Sequence, residues 1–270
     1  MSPLSPASIP PASVSPPESP GPLSSGTESS SSAALDFSQR AQLIERMDQP
    51  CAYEELRACL HDIAQVNRLT FAYRPTISWL EALLAAHPEP PKTLRILDVG
   101  CGYGDTLRQI AAWAARRGTQ VSLTGIDLNP DAIRAAKEAT PPAQQPIQWI
   151  AGDALSHSAP GEIDVVISSL LTHHLTNPQI VQFLRWMEQT TRLGWFINDL
   201  HRQPLPYHFF RILTRFTNWH PFVKHDGPVS IRRSFVEEDW KNLCIAAELD
   251  PATVTIQKHR PARLCVGRIK

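Results

Sequence analysis

The chain has 270 residues, and its 26 Lys and Arg side chains balance its 26 Asp and Glu side chains, so the formal net charge is zero. A zero balance argues against a protein that coats nucleic acid or an anionic membrane surface. No uncharged apolar run reaches the roughly 18 residues of a membrane-spanning helix, and we expect no secretory signal. The five scattered cysteines form no CxxC pair, which excludes a zinc ribbon and favours free thiols in the cytoplasm.

Residues 1–35 differ sharply in composition from the rest of the chain. Up to residue 34 there are twelve Ser and eight Pro but only two charged side chains, Glu18 and Glu28. Such a segment cannot bury enough apolar surface to offset its chain entropy, so we predict a disordered tail. A proline-rich recognition ligand is the alternative, but no PxxP site with an adjacent basic residue occurs.

Residues 36–91 are predicted to form a helical N-terminal cap. Apolar side chains recur there at steps of three and four residues, which is the spacing of one helix face. One such series runs from Leu56 to Leu69, and a second runs from Ile77 to Leu84. The segment His87-Pro88 then ends the second helix.

From residue 92 the chain alternates between strand and helix patterns. Strands are predicted at 94–99, 121–126, 147–150, 163–167 and 195–198, with helices at 106–117, 130–139 and 178–191. This rhythm predicts a parallel sheet that is covered by helices on both faces. Ser234 and Glu237 then resemble a capping box that opens a helix, and 252–258 and 262–268 predict a closing hairpin.

The glycine-rich segment 100–104 follows the first predicted strand and opens a helix. Its spacing is GxGxG, whereas the dinucleotide pattern GxGxxG would require a glycine at position 105, where Asp105 stands. Asp98 precedes the loop, and a carboxylate there would repel a pyrophosphate but can accept a hydrogen bond from an ammonium group. The pattern therefore predicts a ligand that joins an amino acid to a nucleoside without phosphate.

Two further acids follow the next two strands. Asp127 lies where a carboxylate can take both ribose hydroxyls, and Asp153 can accept a bond from an adenine amino group. Each acid has an alternative role as a cap or as a solvated turn residue.

These segments, with Gly125-Ile126-Asp127-Leu128-Asn129-Pro130 and Ile163-Asp164-Val165-Val166-Ile167-Ser168-Ser169, resemble the class I S-adenosylmethionine-dependent methyltransferases over roughly residues 92–200. The resemblance implies an α/β Rossmann-like fold, a seven-stranded sheet with its last strand antiparallel, and S-adenosylmethionine as cofactor. The methyltransferase domain would span residues 92–270. The implied cofactor-binding residues are Asp98, Gly100, Cys101, Gly102, Gly104, Asp127, Leu128, Asp153, Ala154 and Ser169.

Three histidines lie at the predicted catalytic rim. His173 and His174 follow the fourth strand, and His201 follows the fifth. A hydroxyl acceptor must lose a proton, and His is the usual proton acceptor near neutral pH. We favour His201 as the base and His174 next, although each could instead make a helix-cap or loop hydrogen bond. Because adjacent residues tend to point apart and no third ligand has matching spacing, we predict no metal site.

An insertion at 203–233 is rich in proline, aromatic and basic residues. We interpret it as a substrate cover that binds a hydrophobic or aromatic small-molecule acceptor. A helix packed against the sheet, with its basic residues in water, is one alternative, and a membrane-surface helix is another. The acceptor motif Asn-Pro-Pro-Tyr is absent, so nucleic acid is not expected as a substrate, and stable membrane insertion is not expected either.

The segments 198–202 and 225–233 also resemble small-molecule methyltransferases of bacterial secondary metabolism, especially those of polyketide pathways. This resemblance implies an aromatic or polyketide-derived acceptor that is methylated on oxygen. The alternatives are an NAD(P)-dependent oxidoreductase on a related sheet and a non-catalytic binding module that kept the fold. Binding of S-adenosylhomocysteine but not of NAD in calorimetry would distinguish the methyltransferase from both.

A truncated chain that starts at Ala34 should keep the melting temperature and the turnover of the full chain. The removed residues carry no core-forming pattern, so their loss should expose no apolar surface. Thermal unfolding and a methyl-transfer assay check this, and a large loss of either property would show that the tail folds onto the body.

Overall fold

The computed structural model describes residues 35–141, 147–157 and 161–270. The tail predicted at the N-terminus, up to residue 34, lies outside the described residues. Residues 36–270 form one folded unit.

A mixed sheet lies at the centre of this unit, and its described part has seven strands. They are β1 Leu94–Val99, β2 Val121–Asp127, β3 Ile147–Ala151, β4 Ile163–Ser169, β5 Thr191–Leu200, β6 Thr255–His259 and β7 Arg263–Ile269. Their order is β3-β2-β1-β4-β5-β7-β6. Strands β1 to β5 are parallel, and β7 runs antiparallel to both of its neighbours, as the resemblance implied.

Helices cover both faces of the sheet. They are α1 Tyr53–Leu69, α2 Arg74–Ala86, α3 Asp105–Arg117, α4 Pro130–Glu138, α5 Asn177–Thr190, α6 Pro204–Leu213, α7 Pro221–Arg233 and α8 Glu237–Ala246. Side chains of β4 alternate between two cores: Val166 packs with α5 and α8, whereas Val165 and Ile167 pack with α2 and α3. This alternation explains why the central strands are apolar at nearly every position.

The helix ends show which of the predicted caps form. Asn129 caps α4 as predicted, because its side-chain oxygen accepts from Asp131 N at 2.9 Å. The capping box predicted from Ser234 and Glu237 is wrong. The hydroxyl of Ser234 donates to Ile231 O at the end of α7, and Asp239 accepts from the backbone at the start of α8.

The segment 36–52, predicted to be helical, is mostly extended with one 3₁₀ turn at Arg46–Asp48. The fully buried guanidinium of Arg202 fixes its beginning by donating to Phe37 O at 2.9 Å and to Ser38 O at 3.1 Å. Backbone carbonyls that bond to an arginine in this way are not available for a helical hydrogen-bond ladder.

The insertion forms two helices, α6 and α7. Phe210 of α6 stacks on Trp219 with ring centroids 6.0 Å apart. Gly227 lets α7 pack closely against Phe210 of α6, since a Cβ at this position would lie 2.1 Å from the Phe210 ring. Trp219 and Val223 also pack against Ile63 of α1, so this insertion closes over the N-terminal cap. None of the helices in the described ranges is long and apolar enough to cross a bilayer.

Replacing Gly104 with alanine should destabilise the fold more than replacing Gly118 with alanine. Both glycines have φ near +70° (72° and 71°), so both substitutions strain the backbone. A Cβ at Gly104 would also lie 2.2 Å from the Trp149 ring, whereas Gly118 has nothing within 4 Å. Urea unfolding should show an extra loss of about 1–3 kcal/mol for Gly104→Ala. Equal losses would contradict the packing argument.

Candidate active site

A cavity of about 620 Å³ opens at the carboxyl ends of the parallel strands. This is the edge at which open α/β sheets bind their ligands, and the volume suits a small-molecule site. All of the predicted site residues line it except Gly104 and His201. Those in the wall are Asp98, Gly100, Cys101, Gly102, Asp127, Leu128, Asp153, Ala154, Ser169 and His174.

Asp98 and the glycine loop form the inner wall of the cavity. Asp98 is only 1% exposed, and burial with Asp105 and Asp127 nearby raises its pKa well above the usual value. Its Oδ1 has no hydrogen-bond partner within the described part of the chain. A buried carboxylate oxygen without a donor fits a ligand ammonium group. The loop turns through left-handed glycines, with φ of 69° at Gly100 and 50° at Gly102.

Asp127 lies at the end of β2, beside the glycine loop. Its Oδ2 accepts from Gly102 N and its Oδ1 accepts from Asn129 N, each at 2.9 Å. Burial raises the pKa of Asp127, and these two bonds oppose that shift. Each carboxylate oxygen keeps a further lone pair, so the group is oriented and can still accept from a pair of ligand hydroxyls.

Two residues after β2 and β3 suit an aromatic base. The side chain of Leu128 is 76% exposed at the cavity and offers an apolar surface. Asp153 caps a 3₁₀ turn by accepting from Leu155 N at 3.0 Å, so the capping role considered for it is present. Ser169 donates to Asn198 O at 3.4 Å at the end of β4.

Gly104 and His201 lie outside the cavity wall. Gly104 is the N-cap residue of α3 and packs under Trp149. The backbone N of His201 donates to Ala262 O at 2.8 Å, and its buried imidazole has a pKa lowered by burial and by Lys258. The charged groups that influence its pKa are Lys258 on β6, the adjacent Arg202 and Glu237 at the start of α8. The structure therefore does not support our first choice of base.

His173 and His174 meet in the cavity wall on a 3₁₀ turn after β4. Their ring centroids are 4.2 Å apart, so the expectation that the two side chains point apart is wrong. Both Nε2 atoms face Glu45, at 3.7 Å for His173 and 3.8 Å for His174. Glu45 is 128 positions away from His173, and sequence spacing could not have shown this third group.

Carboxylates fix the opposite nitrogen of each ring. His173 Nδ1 lies 2.7 Å from fully buried Asp199, which also accepts from Thr172 and from two backbone amides. Burial alone would raise the pKa of Asp199, but His173 and these donors hold it well below the usual value. His174 Nδ1 lies 2.8 Å from Asp48, and bonds from His174 and Arg233 likewise lower the pKa of Asp48 against its burial.

Glu45 is 3% exposed, and burial raises its pKa to about 7. Its Oε1 has no hydrogen bond from any described residue, although Arg233 Nη1 lies 3.4 Å away. Asp226 of α7 holds this segment by accepting from Arg46 N at 2.9 Å and Met47 N at 3.0 Å. Sequence reasoning missed Glu45 because no motif surrounds it. Asp199, Asp226 and Arg233 do lie in the two segments that carried the closer resemblance.

Much of the remaining wall is apolar, and this apolar part comes from the N-terminal cap and the insertion. It includes Met47, Ile63, Val66, Phe209, Phe210, Leu213 and Val223. The cavity thus joins a polar region at the strand ends to an apolar region under α6 and α7, with the two histidines in its wall.

Comparisons with known proteins agree with this geometry. Residues 96–194 match the family model described as methyltransferase domain. Among curated proteins, none matches the chain by sequence.

Solved structures with a similar fold include the plantazolicin methyltransferase BamL, in complex with a triazolic desmethylPZN analog and SAH. It is 15% identical, the match covers 81% of this chain and 97% of that chain, and the TM-score is 0.58. The citrinin polyketide synthase CMeT domain is 17% identical, with 73% and 52% covered and a TM-score of 0.54. The DszA carbon methyltransferase is 16% identical, with 73% and 53% covered and a TM-score of 0.54. At these identities the likeness concerns the fold.

The matched residues run from β1 into β5, so they include the glycine loop, Asp127 and the strand that precedes the two histidines. A dinucleotide-dependent oxidoreductase would not account for this match or for the buried acid beside the loop. Residues 96–194 therefore belong to a methyltransferase domain, and the fold around them is shared with a methyltransferase that was solved with SAH.

Proposed function

We propose that this enzyme transfers the methyl group of S-adenosylmethionine to a hydroxyl oxygen of a small hydrophobic or aromatic acceptor in secondary metabolism. The observation that carries the proposal is the single cavity in which Asp98 and Asp127 share a wall with His174 and an apolar surface. Cofactor and acceptor can then meet without crossing solvent.

The residues at the strand ends suit the three parts of the cofactor. The unpartnered Oδ1 of Asp98 would accept from the methionine ammonium group. Asp127 would hold the ribose hydroxyls, and Leu128 would pack against adenine near Asp153. Together these contacts would direct the methyl sulfonium toward the apolar part of the cavity.

The acceptor class follows from the opposite wall. Phe209, Phe210 and Leu213 of α6 form an apolar surface there, which favours an aromatic or otherwise apolar acceptor. Two of the structurally similar proteins, one named for plantazolicin and the other a polyketide synthase domain, also support a natural-product acceptor.

Methyl transfer needs alignment more than covalent help from the protein. The sulfur–carbon bond breaks with its electron pair on sulfur, an oxygen–carbon bond forms, and the hydroxyl proton leaves. We propose that the cluster of Glu45, His173 and His174 promotes loss of that proton, since it lies in the cavity wall, whereas His201 does not.

Calorimetry of the full chain tests the cofactor assignment directly. S-adenosylhomocysteine should bind with one site per chain, and NAD should not bind. A panel of phenolic and aliphatic alcohols with labelled S-adenosylmethionine should then yield methyl ethers. Label found only on carbon would contradict transfer to oxygen while leaving the methyltransferase assignment intact.

The substitution Asp127→Ala should weaken binding of S-adenosylhomocysteine and leave the fold intact. It removes charge-assisted hydrogen bonds worth about 1.5–3 kcal/mol. Asp131→Ala is the matched control, because Asp131 lies four residues further on, outside the cavity wall. Calorimetry with circular dichroism checks both variants. Unchanged affinity in a folded Asp127→Ala protein would count against the placement of the ribose.

The substitution His174→Ala should lower turnover by about 10²–10⁴-fold, the usual contribution of a group that assists proton loss. His201→Ala should leave turnover within a few-fold, because its imidazole lies outside the cavity wall. Affinity for S-adenosylhomocysteine should change little in either. The reverse ranking of the two variants would restore His201 as the base.

A further inference from the structure

Three ligand-type atoms converge in the cavity wall without bonding to one another. One side-chain atom each from Glu45, His173 and His174 lies within 4.8 Å of the other two. The imidazole Nε2 atoms are 3.7 Å and 3.8 Å from the Glu45 carboxylate, which is too long for hydrogen bonds. Groups that point at one another across such gaps leave space at the centre of the triangle.

Each imidazole is also held in the orientation of a metal ligand. His173 Nδ1 lies 2.7 Å from Asp199, and His174 Nδ1 lies 2.8 Å from Asp48. A carboxylate at Nδ1 places the proton there and leaves the Nε2 lone pair free toward Glu45. Metal-binding histidines almost always have such a partner on the second ring nitrogen.

The local charge balance points the same way. Glu45, Asp48 and Asp199 are three carboxylates, and the one guanidinium within 4 Å of them among the described residues is Arg233. Arg40 lies close by, but it bonds to the backbone carbonyls of His173 and Leu175. Asp48 is exposed and already pairs with Arg233, and Asp199 accepts several hydrogen bonds, whereas Glu45 is buried and its Oε1 accepts no hydrogen bond from the described residues. Buried carboxylates are stable only when paired, and a cation bound at Glu45 would supply that partner.

We propose that Glu45, His173 Nε2 and His174 Nε2 bind a divalent transition-metal ion of the Zn²⁺ class. Two imidazoles and one carboxylate are the ligands of several catalytic zinc and iron sites, and three protein ligands leave a position open. Zn–N bonds of about 2.0–2.1 Å imply ligand atoms about 3.4 Å apart in a tetrahedral site. The separations from Glu45 need to shrink by only a few tenths of an ångström. His173 Nε2 is 3.7 Å from Oε1 of Glu45 and His174 Nε2 is 3.8 Å from Oε2, so a small rotation of the carboxylate would bring one oxygen to an ion between the imidazoles. Arg233 also faces Oε1, which leaves Oε2 as the oxygen for the ion.

The role of the ion rests on the proposed function. All three ligand residues line the cavity, so an acceptor hydroxyl that took the open position would lose its proton to solvent more easily, as water does on zinc. The oxygen would then attack the methyl carbon, and the sulfur–carbon bond would break with its electron pair on sulfur. In this mechanism His174 acts as a metal ligand and needs no free lone pair to take the proton.

The test is metal binding by the full chain, freed of any affinity tag and stripped with a chelator. Calorimetry with Zn²⁺ should show one tight site, and Co²⁺ should give the visible absorption of a four-coordinate ion with imidazole ligands. Glu45→Gln and His174→Ala should each weaken Zn²⁺ binding by at least about 100-fold, while Asp48→Asn should weaken it by about 10–100-fold. His259→Gln, a change in the β6 edge strand outside the cavity wall, should not alter it.

Binding of S-adenosylhomocysteine, measured on the same samples, separates this inference from the proposed function. Zn²⁺ binding that depends on Glu45 and His174 supports the metal site even if no methyl transfer is found. Intact S-adenosylhomocysteine binding without tight Zn²⁺, Mn²⁺ or Fe²⁺ binding would overturn the metal site and leave the methyltransferase assignment standing. Tight Zn²⁺ binding that is equal in Glu45→Gln and the unmodified chain would also overturn it.

Discussion

A carboxylate removed from water costs several kcal/mol unless a cation or several donors face it. Asp98, Asp199 and Glu45 are all nearly inaccessible at the carboxyl edge of this sheet, and each meets that cost differently. Asp199 is surrounded by donors from the turn after β4. Asp98 and Glu45 each keep one oxygen without a hydrogen bond from the described residues. Both residues line the cavity. A ligand bound there could therefore offset the cost of burying these two oxygens without a hydrogen-bond donor.

The architecture places these acids together because β1 to β5 are parallel. Their carboxyl ends meet at one edge, so the loops after β1, β2 and β3 build the polar wall without help from distant segments. The apolar wall has a different origin. The insertion folds back on α1 through Trp219 and Val223, and Asp226 of α7 pins the 3₁₀ turn at Arg46–Asp48. The insertion therefore shapes the proposed acceptor site and also positions Glu45.

One chain of contacts links the two regions of the cavity. Asp199 at the end of β5 orients His173, the adjacent His174 pairs with Asp48, and Arg233 of α7 pairs with Asp48 in turn. The sheet, the N-terminal segment and the insertion are thus tied together at the point where the proposed methyl transfer takes place. Such a network holds side-chain rotamers firmly, which is what in-line transfer between two bound molecules needs.

The sequence by itself determined the sheet, the glycine loop and the acids at three strand ends, because periodicity, glycine spacing and strand-end position are local signals. The sequence also indicated His174 as the second candidate base. Only the tertiary structure decided that His201 lies outside the cavity and that Glu45 completes a cluster with the two histidines. The bridge from His201 to Phe235 and the turn that brings both imidazoles to Glu45 are contacts between distant segments. No residue pattern within one segment encodes such contacts, since they depend on how the extended N-terminal segment, α7 and β5 pack together.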